Sequence, residues 1–213
     1  MKPAALTIFL LLALMMSTKP SVVHGQVVLD AEGEPLEWGR DYYILPASWG
    51  IEGGGVSLGS YNNSRCPLYV VQDRSILKDG LAASFSSITK DRFVRASTDL
   101  IITTTGPVAT CKLSMVWKLV HETGRRWLVS TNGNAESINS LFQIVPYKSI
   151  YYTIRFCPTP TDIPTLCKGL GLYVAEDKTR YLALSDDHRP YLFKFRKAVD
   201  PYAAQPLKTV VSV

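Results

Sequence analysis

The sequence has no run of five like charges, and Lys, Arg, Asp and Glu together make up only 19% of its 213 residues. The formal net charge of +5 is spread along the chain. A nucleic-acid footprint needs its cations clustered on one face, so that class is set aside. Beyond residue 25 no apolar stretch approaches the roughly 18 residues of a membrane span. No segment there keeps apolar residues at helical spacing for three turns, which excludes a helix bundle or coiled coil. Gly (14) and Pro (13) are scattered rather than periodic, against collagen-like and low-complexity chains. There is no Cys-x-x-Cys, and His121 and His188 have no metal-ligand spacing to any cysteine, so no metal and no cofactor is expected. An apolar fraction of 46% is enough to build a core.

The first 25 residues have the pattern of a secretory signal peptide. Lys2 supplies the positive start, Leu6 to Met16 is apolar but for Thr7, and Val23-His24-Gly25 precedes a cut at Gln26. Losing Lys2 and Lys19 with the leader takes the formal charge from +5 to +3. The expected destination is extracellular, or vacuolar by the secretory route. No membrane association is expected after cleavage. The cysteines suit an oxidising compartment: Cys66, Cys111, Cys157 and Cys167 all follow the leader. Four cysteines allow three connectivities. Sequential pairing is adopted, Cys66 with Cys111 and Cys157 with Cys167, the second pair bracketing a Pro-rich connection from Pro158 to Pro164.

Short β-rich runs recur between Gly, Pro, Asn, Asp and Ser clusters. They begin at Tyr42-Tyr43-Ile44-Leu45, Val56-Ser57-Leu58, Leu68-Tyr69-Val70-Val71, Leu100-Ile101-Ile102-Thr103 and Met115 to Leu119. Trp127-Leu128-Val129, Leu141 to Val145, Tyr151 to Phe156, Leu172-Tyr173-Val174, Tyr181 to Leu184 and Tyr191 to Phe195 follow. Weaker runs lie at Val27-Val28-Leu29 and Phe93-Val94. About a dozen evenly spaced strands argue for a closed all-β barrel or sandwich. One domain is expected over 26–197, followed by a flexible extension over 198–213. No internal repeat stands out.

Few residues carry a sign of chemistry. Gly55-Val56-Ser57-Leu58-Gly59 matches G-x-S-x-G, but a nucleophile elbow needs a helix after the serine and Tyr61-Asn62-Asn63 follows instead. Ser57 is expected on a short strand. His121 and His188 stand in polar, turn-like surroundings with no triad spacing. No catalytic residue is assigned, and the protein is not expected to be an enzyme. Asn62-Asn63-Ser64 is a glycosylation acceptor at Asn62. Ser84 to Arg95, reading Ser-Phe-Ser-Ser-Ile-Thr-Lys-Asp-Arg-Phe-Val-Arg, is a loop between two strand candidates with alternating basic residues. It is either a solvated connection or an extended loop that enters a protease cleft.

The ordered series of motifs resembles the plant Kunitz-type (soybean trypsin inhibitor-like) family. It runs from Val28-Leu29-Asp30, Gly33, Pro35-Leu36 and Tyr42 to Pro46, through Gly53-Gly54-Gly55 and Cys66 to Gln72. Ser97 to Leu100, Val116 to Leu119, Phe156-Cys157-Pro158, Leu182 to Asp186 and Phe193-Lys194-Phe195 complete it. The resemblance implies a β-trefoil, with six strands in a short barrel and six capping it, and two sequentially paired disulfides. It implies inhibition of endopeptidases, most often trypsin-like serine proteases, by a substrate-like loop, as a monomer whose partner is the target protease.

Counted without gaps from Cys66, the family's primary specificity position falls at Lys90 and the reactive-site bond at Lys90–Asp91. The loop comprises Ser87, Ile88, Thr89, Lys90, Asp91 and Arg92. Three residues depart from the family pattern. Asp91 stands where an apolar or small residue is commoner, Trp38 replaces a loop-bracing Asn, and Ile88 replaces a Pro. The family also contains inhibitors of papain-like proteases or amylases that act through other loops, and storage or ligand-binding members that inhibit nothing.

Overall fold

The computed structural model describes residues 25–47, 53–87, 91–105, 111–123, 126–158, 167–185 and 191–198. Twelve strands run through them. The first four are β1 (Asp41–Pro46), β2 (Val56–Tyr61), β3 (Ser64–Gln72) and β4 (Ala82–Ser86). Next come β5 (Ile101–Thr104), β6 (Lys118–Glu122), β7 (Arg126–Ser130) and β8 (Gln143–Lys148). The last are β9 (Tyr151–Phe156), β10 (Lys168–Val174), β11 (Arg180–Leu184) and β12 (Phe193–Lys197). Among the described residues the sole helical element is one 3-10 turn, Ile138–Ser140.

Six of these strands close on themselves. β1 pairs with β4, β4 with β5, β8 with β9, β9 with β12, and β12 with β1, all antiparallel. Just ahead of β5 and β8, Leu100 and Phe142 exchange both backbone hydrogen bonds at 2.8 and 2.9 Å. That exchange joins the two remaining edges. The other six strands form hairpins β2–β3, β6–β7 and β10–β11. The hairpins meet in a triangle, where Tyr69 pairs with Ser130, Leu128 with Ala183, and Val71 with Tyr181. The same four-strand unit therefore occurs three times, although its sequences show no visible repeat.

Alternation decides which side chains fill the ring. Along β9, Tyr152, Ile154 and Phe156 are buried and their neighbours are half-buried, the period-two pattern of a strand with one inward face. β1 contributes Tyr42 and Ile44, β4 Ala83 and Phe85, and β12 Phe193 and Phe195. Phe85 and Phe195 meet edge to face with centroids 5.4 Å apart, a favoured aromatic geometry. Trp117 is fully buried and its Nε1 donates to Thr104 Oγ1 at 2.9 Å, which satisfies the indole's polar group. The hydroxyls of Tyr42 and Tyr152 reach out of the core to accept the backbone N–H of Glu37 (2.9 Å) and Leu29 (2.8 Å). They tether the N-terminal segment to the ring.

Several expectations need correction. β4 was not foreseen, and Ser84, Phe85 and Ser86 belong to it rather than to the loop. Ala and Ser have little intrinsic strand preference. The strand exists because β1 and β5 flank it and because Ala83 and Phe85 point inward. The weak runs near 27–29 and 93–94 form isolated bridges, Val27 with Arg95 and Glu37 with Phe93, not strands. β6 begins at Lys118, later than the run from Met115, and includes His121, whose ring lies 4.8 Å from that of Trp127 across the hairpin. Ser57 lies in β2 opposite Val71, with no helix after it, so the nucleophile-elbow context is missing. The leader apart from Gly25, the tail beyond Ala198, and His188 lie outside the described residues.

Both disulfides pair sequentially, Cys66 with Cys111 and Cys157 with Cys167. They close loops of 45 and 10 residues. On the loop-entropy model, replacing Cys66 and Cys111 by Ser should cost about 4 kcal/mol, and replacing Cys157 and Cys167 about 3 kcal/mol. Denaturant unfolding of the two double variants measures this. Equal costs, or a larger cost for the shorter loop, would show that chain entropy does not set the difference.

Candidate functional site

The loop after β4 is held from both ends. On its N-terminal side the last ladder pair is Ser86 with Ile101, and Ser87 Oγ donates to Asp99 O at 3.3 Å. Asp99 Oδ1 accepts from Gln143 Nε2 at 2.7 Å, and Gln143 Oε1 accepts from Arg155 Nε at 2.8 Å. This chain of polar contacts ties the loop's start to β8 and β9.

The C-terminal side is stitched to the N-terminal segment by backbone. Val94 N–H donates to Leu36 O (2.8 Å), and Val94 O accepts from Val28 N–H (3.0 Å). Leu36 N–H in turn donates to Val28 O (2.8 Å), and Ala96 N–H to Gln26 O (2.8 Å). Val28, Leu36, Val94 and Ala96 are all buried. Three passes of chain thus form a small clasp with an apolar inner face.

Side-chain charges lie outside the clasp. Asp91 Oδ2 accepts from Arg95 Nε at 2.5 Å, and Asp91 Oδ1 accepts from Arg92 N–H at 2.7 Å. The Arg95 guanidinium, with help from backbone N–H groups, holds the Asp91 carboxyl below the ordinary Asp range. Arg95 also donates from Nη1 to Gly25 O at 3.3 Å. Arg92 Nη2 meets Glu37 Oε1 at 2.9 Å, and Arg40 Nη1 meets Glu37 Oε2 at 3.3 Å. The hydrogen bond from Arg92 is the main reason the Glu37 carboxyl is also lowered.

Of the loop residues singled out in the sequence, Ser87 lies at the loop's N-terminal end against Asp99, and Asp91 and Arg92 lie at its C-terminal end against Arg95 and Glu37. Ile88, Thr89 and Lys90 lie outside the described residues. Trp38 sits beneath the loop's end: its N–H donates to Arg92 O at 3.4 Å, and its side chain packs on the core. Its Nε1 is buried and has no hydrogen-bond partner among the described residues. Sequence reasoning missed Glu37 and Arg95. The spacing of Arg95 four residues after Asp91 was visible, but in a loop that spacing carries no geometric meaning. Asn62 is exposed at the tip of the β2–β3 hairpin.

A model of a family described as trypsin and protease inhibitor, the legume Kunitz type, matches residues 28–197. The chain is 36% identical over 178 residues to a 21 kDa seed protein of Theobroma cacao, covering 78% of this chain and 80% of that one. It is 34% identical over 201 residues to Kunitz trypsin inhibitor 5 of Arabidopsis thaliana, covering 89% and 96%. Among solved structures, soybean trypsin inhibitor superposes with a TM-score of 0.71 at 29% identity, covering 81% of this chain and all of that one. The same inhibitor in complex with porcine pancreatic trypsin gives 0.69 at 29% identity, covering 81% and 99%. The closed ring and its three capping hairpins are the β-trefoil of these proteins. Members of this group act as inhibitors or binding proteins rather than as enzymes. On the match over most of its length, the chain belongs to the Kunitz family of trypsin and protease inhibitors.

Proposed function

We propose that the protein inhibits a trypsin-like serine endopeptidase by presenting the segment around Lys90–Asp91 as a substrate-like loop. One observation carries this reading: both described ends of that loop are fixed to the barrel, the second by a buried backbone clasp. A loop held in place before docking loses little conformational entropy when it binds, so more of its contact energy appears as affinity. A flexible connection of the same composition would lose that advantage. Trypsin engaged by soybean trypsin inhibitor supplies the precedent for a protein–protein complex of this type. The protein acts outside the cell or in the vacuole, as a monomer, without cofactor.

Lys90 is the residue that fills the primary pocket. Its ammonium meets a buried carboxylate there, and its four-carbon stem lies along the apolar wall. Arg92, the nearest other cation, is already engaged by Glu37 and would have to release that partner first. Asp91 follows the specificity residue, and its pairing with Arg95 offsets the charge that docking would otherwise desolvate alone.

Three outcomes are expected. Lys90→Ala should weaken trypsin inhibition by about 2 kcal/mol or more, roughly thirtyfold, with unchanged thermal stability, while Arg92→Ala should weaken it far less. Progress curves with trypsin measure both. Inhibition indifferent to Lys90, or directed at papain or amylase instead, would move the activity to other loops. No inhibition of any of these would favour a storage role, and the cacao relative is named only as a seed protein.

Trp38→Asn should tighten inhibition, because a side-chain amide can bond the loop where the indole Nε1 has no partner among the described residues. Equal inhibition constants would remove Trp38 from the mechanism.

The Asp91 brace should be sensitive to acid. Its folded carboxyl titrates below the ordinary Asp value of about 3.9, so its contribution is complete above that pH and fades as pH falls through the lower value. The Arg92 amide resonance, which reports the bond to Oδ1, should titrate with a midpoint below about 3.9 and should not titrate in Asp91→Asn.

A further inference from the structure

A second feature lies away from the loop, on the outer face of the capping hairpins. Tyr61, Tyr69, Tyr173 and Tyr181 gather there around β3 and β11. Tyr61 meets Tyr69 at 4.9 Å and Tyr181 at 5.3 Å, and Tyr173 stacks on Tyr181 at 6.4 Å between centroids. The cluster is fixed rather than loose. Tyr181 Oη donates to Ser60 O at 2.7 Å, Tyr69 Oη donates to Glu122, and the Arg126 guanidinium lies 4.0 Å from the Tyr173 ring centroid. Beside it opens a groove of about 450 Å³, within the range of roughly 300–1,000 Å³ typical of small-ligand sites. Tyr61, Tyr173 and Tyr181 line it together with Asn62, Asn63 and Glu176.

Asn62 is at once a lining residue of this groove and the acceptor of the Asn62-Asn63-Ser64 sequon. The β2–β3 turn presents it outward. Asn62 and Asn63 both adopt positive φ, 49° and 59°, as a two-residue hairpin turn of the I′ type requires. Asparagine tolerates that conformation better than most residues, so the turn and the sequon use the same side chains without conflict. The half-buried rings of Tyr61 and Tyr173 suit the C–H face of a pyranose, whose weakly positive hydrogens meet the negative face of an aromatic ring. Amide and carboxylate groups beside them suit its hydroxyls.

We propose that Asn62 carries an N-linked glycan whose first sugars seat in the tyrosine groove. The transfer joins the Asn62 side-chain nitrogen to the anomeric carbon of a lipid-linked pyrophosphate oligosaccharide. The nitrogen loses a proton to the transferase, the anomeric carbon–oxygen bond breaks, and the lipid pyrophosphate leaves. The seated glycan restrains the β2–β3 hairpin against β10–β11. This rests on the secretory reading of residues 1–25, not on the inhibitory one.

The test is expression of the full chain in a glycosylating eukaryotic host. In parallel, the same chain is expressed with residues 1–25 replaced by the host's own secretory leader, so that a failed leader is told apart from an unused acceptor. Intact mass should show one glycan, removable by peptide N-glycosidase and absent from Ser64→Ala. Enzymatic removal should lower the melting temperature of the wild type by roughly 2–4 °C and that of Tyr173→Phe equally. It should leave Tyr173→Ala nearly unmoved; the conversion of Asn62 to Asp on removal is common to all three and cancels. As a reading that needs no variant, protons of the first sugar should show upfield ring-current shifts in the wild-type glycoprotein. An unmodified Asn62 in secreted protein overturns the site. A glycan with ordinary sugar shifts, or one whose removal affects Tyr173→Ala as much as wild type, overturns the seat.

Discussion

The reciprocal hydrogen bonds between Leu100 and Phe142 are the constraint on which the rest of the molecule depends. Together with Ser97 N–H to Ile144 O (2.8 Å), they join the β5 end of the six-stranded sheet to its β8 end, and without that junction the sheet would remain open there. With them the ring is closed, and every inward residue of six strands meets the others across one small interior. Phe142 itself contacts Trp117 and Phe156 edge to face, at 6.4 and 6.0 Å. Closure and core packing therefore share a residue. Closure also fixes where β4 and β5 end, and hence the distance that the connection between them must span.

The molecule's two surfaces of interest follow from the division between ring and cap. The connection after β4 leaves the ring at Ser86 and is returned by the clasp of Val28, Leu36 and Val94. The tyrosine groove belongs to the cap, where hairpins β2–β3 and β10–β11 supply the rings, and β6–β7 supplies Glu122 and Arg126 to orient them. Threefold architecture without threefold sequence permits this. Each hairpin keeps the same backbone pairing, while its outward residues are free to differ.

Much of this was legible in the sequence because burial imposes a period. Eleven of the twelve strands announce themselves as β-branched or aromatic runs, and the four cysteines in their order agree with the observed pairing. β4 escaped because Ala82-Ala83-Ser84-Phe85-Ser86 carries one large apolar residue, and its pairing comes from β1 and β5, far away in sequence. The clasp was half visible: its residues were noticed as weak strands, but isolated bridges have no period to read. Glu37 and Arg95 were invisible for a different reason. Glu37 meets Arg92 only through the tertiary path, across 55 residues, and the four-residue spacing of Asp91 and Arg95 carries no geometric meaning outside a helix. The tyrosine groove was hidden likewise, because Tyr61 and Tyr181 look like ordinary strand residues until β3 and β11 are placed side by side.

The loop's supports differ in kind, and their magnitudes decide which matters most. Exposed ion pairs such as Arg92–Glu37, whose arginine side chain is 75% exposed, contribute little and weaken with salt. The clasp is built of buried backbone bonds with apolar side chains on its inner face. Breaking it would strand buried donors and acceptors at about 1–3 kcal/mol each, besides exposing Val28, Leu36 and Val94. Asp91 and Glu37 therefore tune the loop's C-terminal end, whereas the clasp determines its path. Asp91 belongs to the tuning layer, and the clasp's backbone bonds do not involve it. Substitutions in that layer alter how firmly the loop is presented, and the barrel beneath them does not have to change.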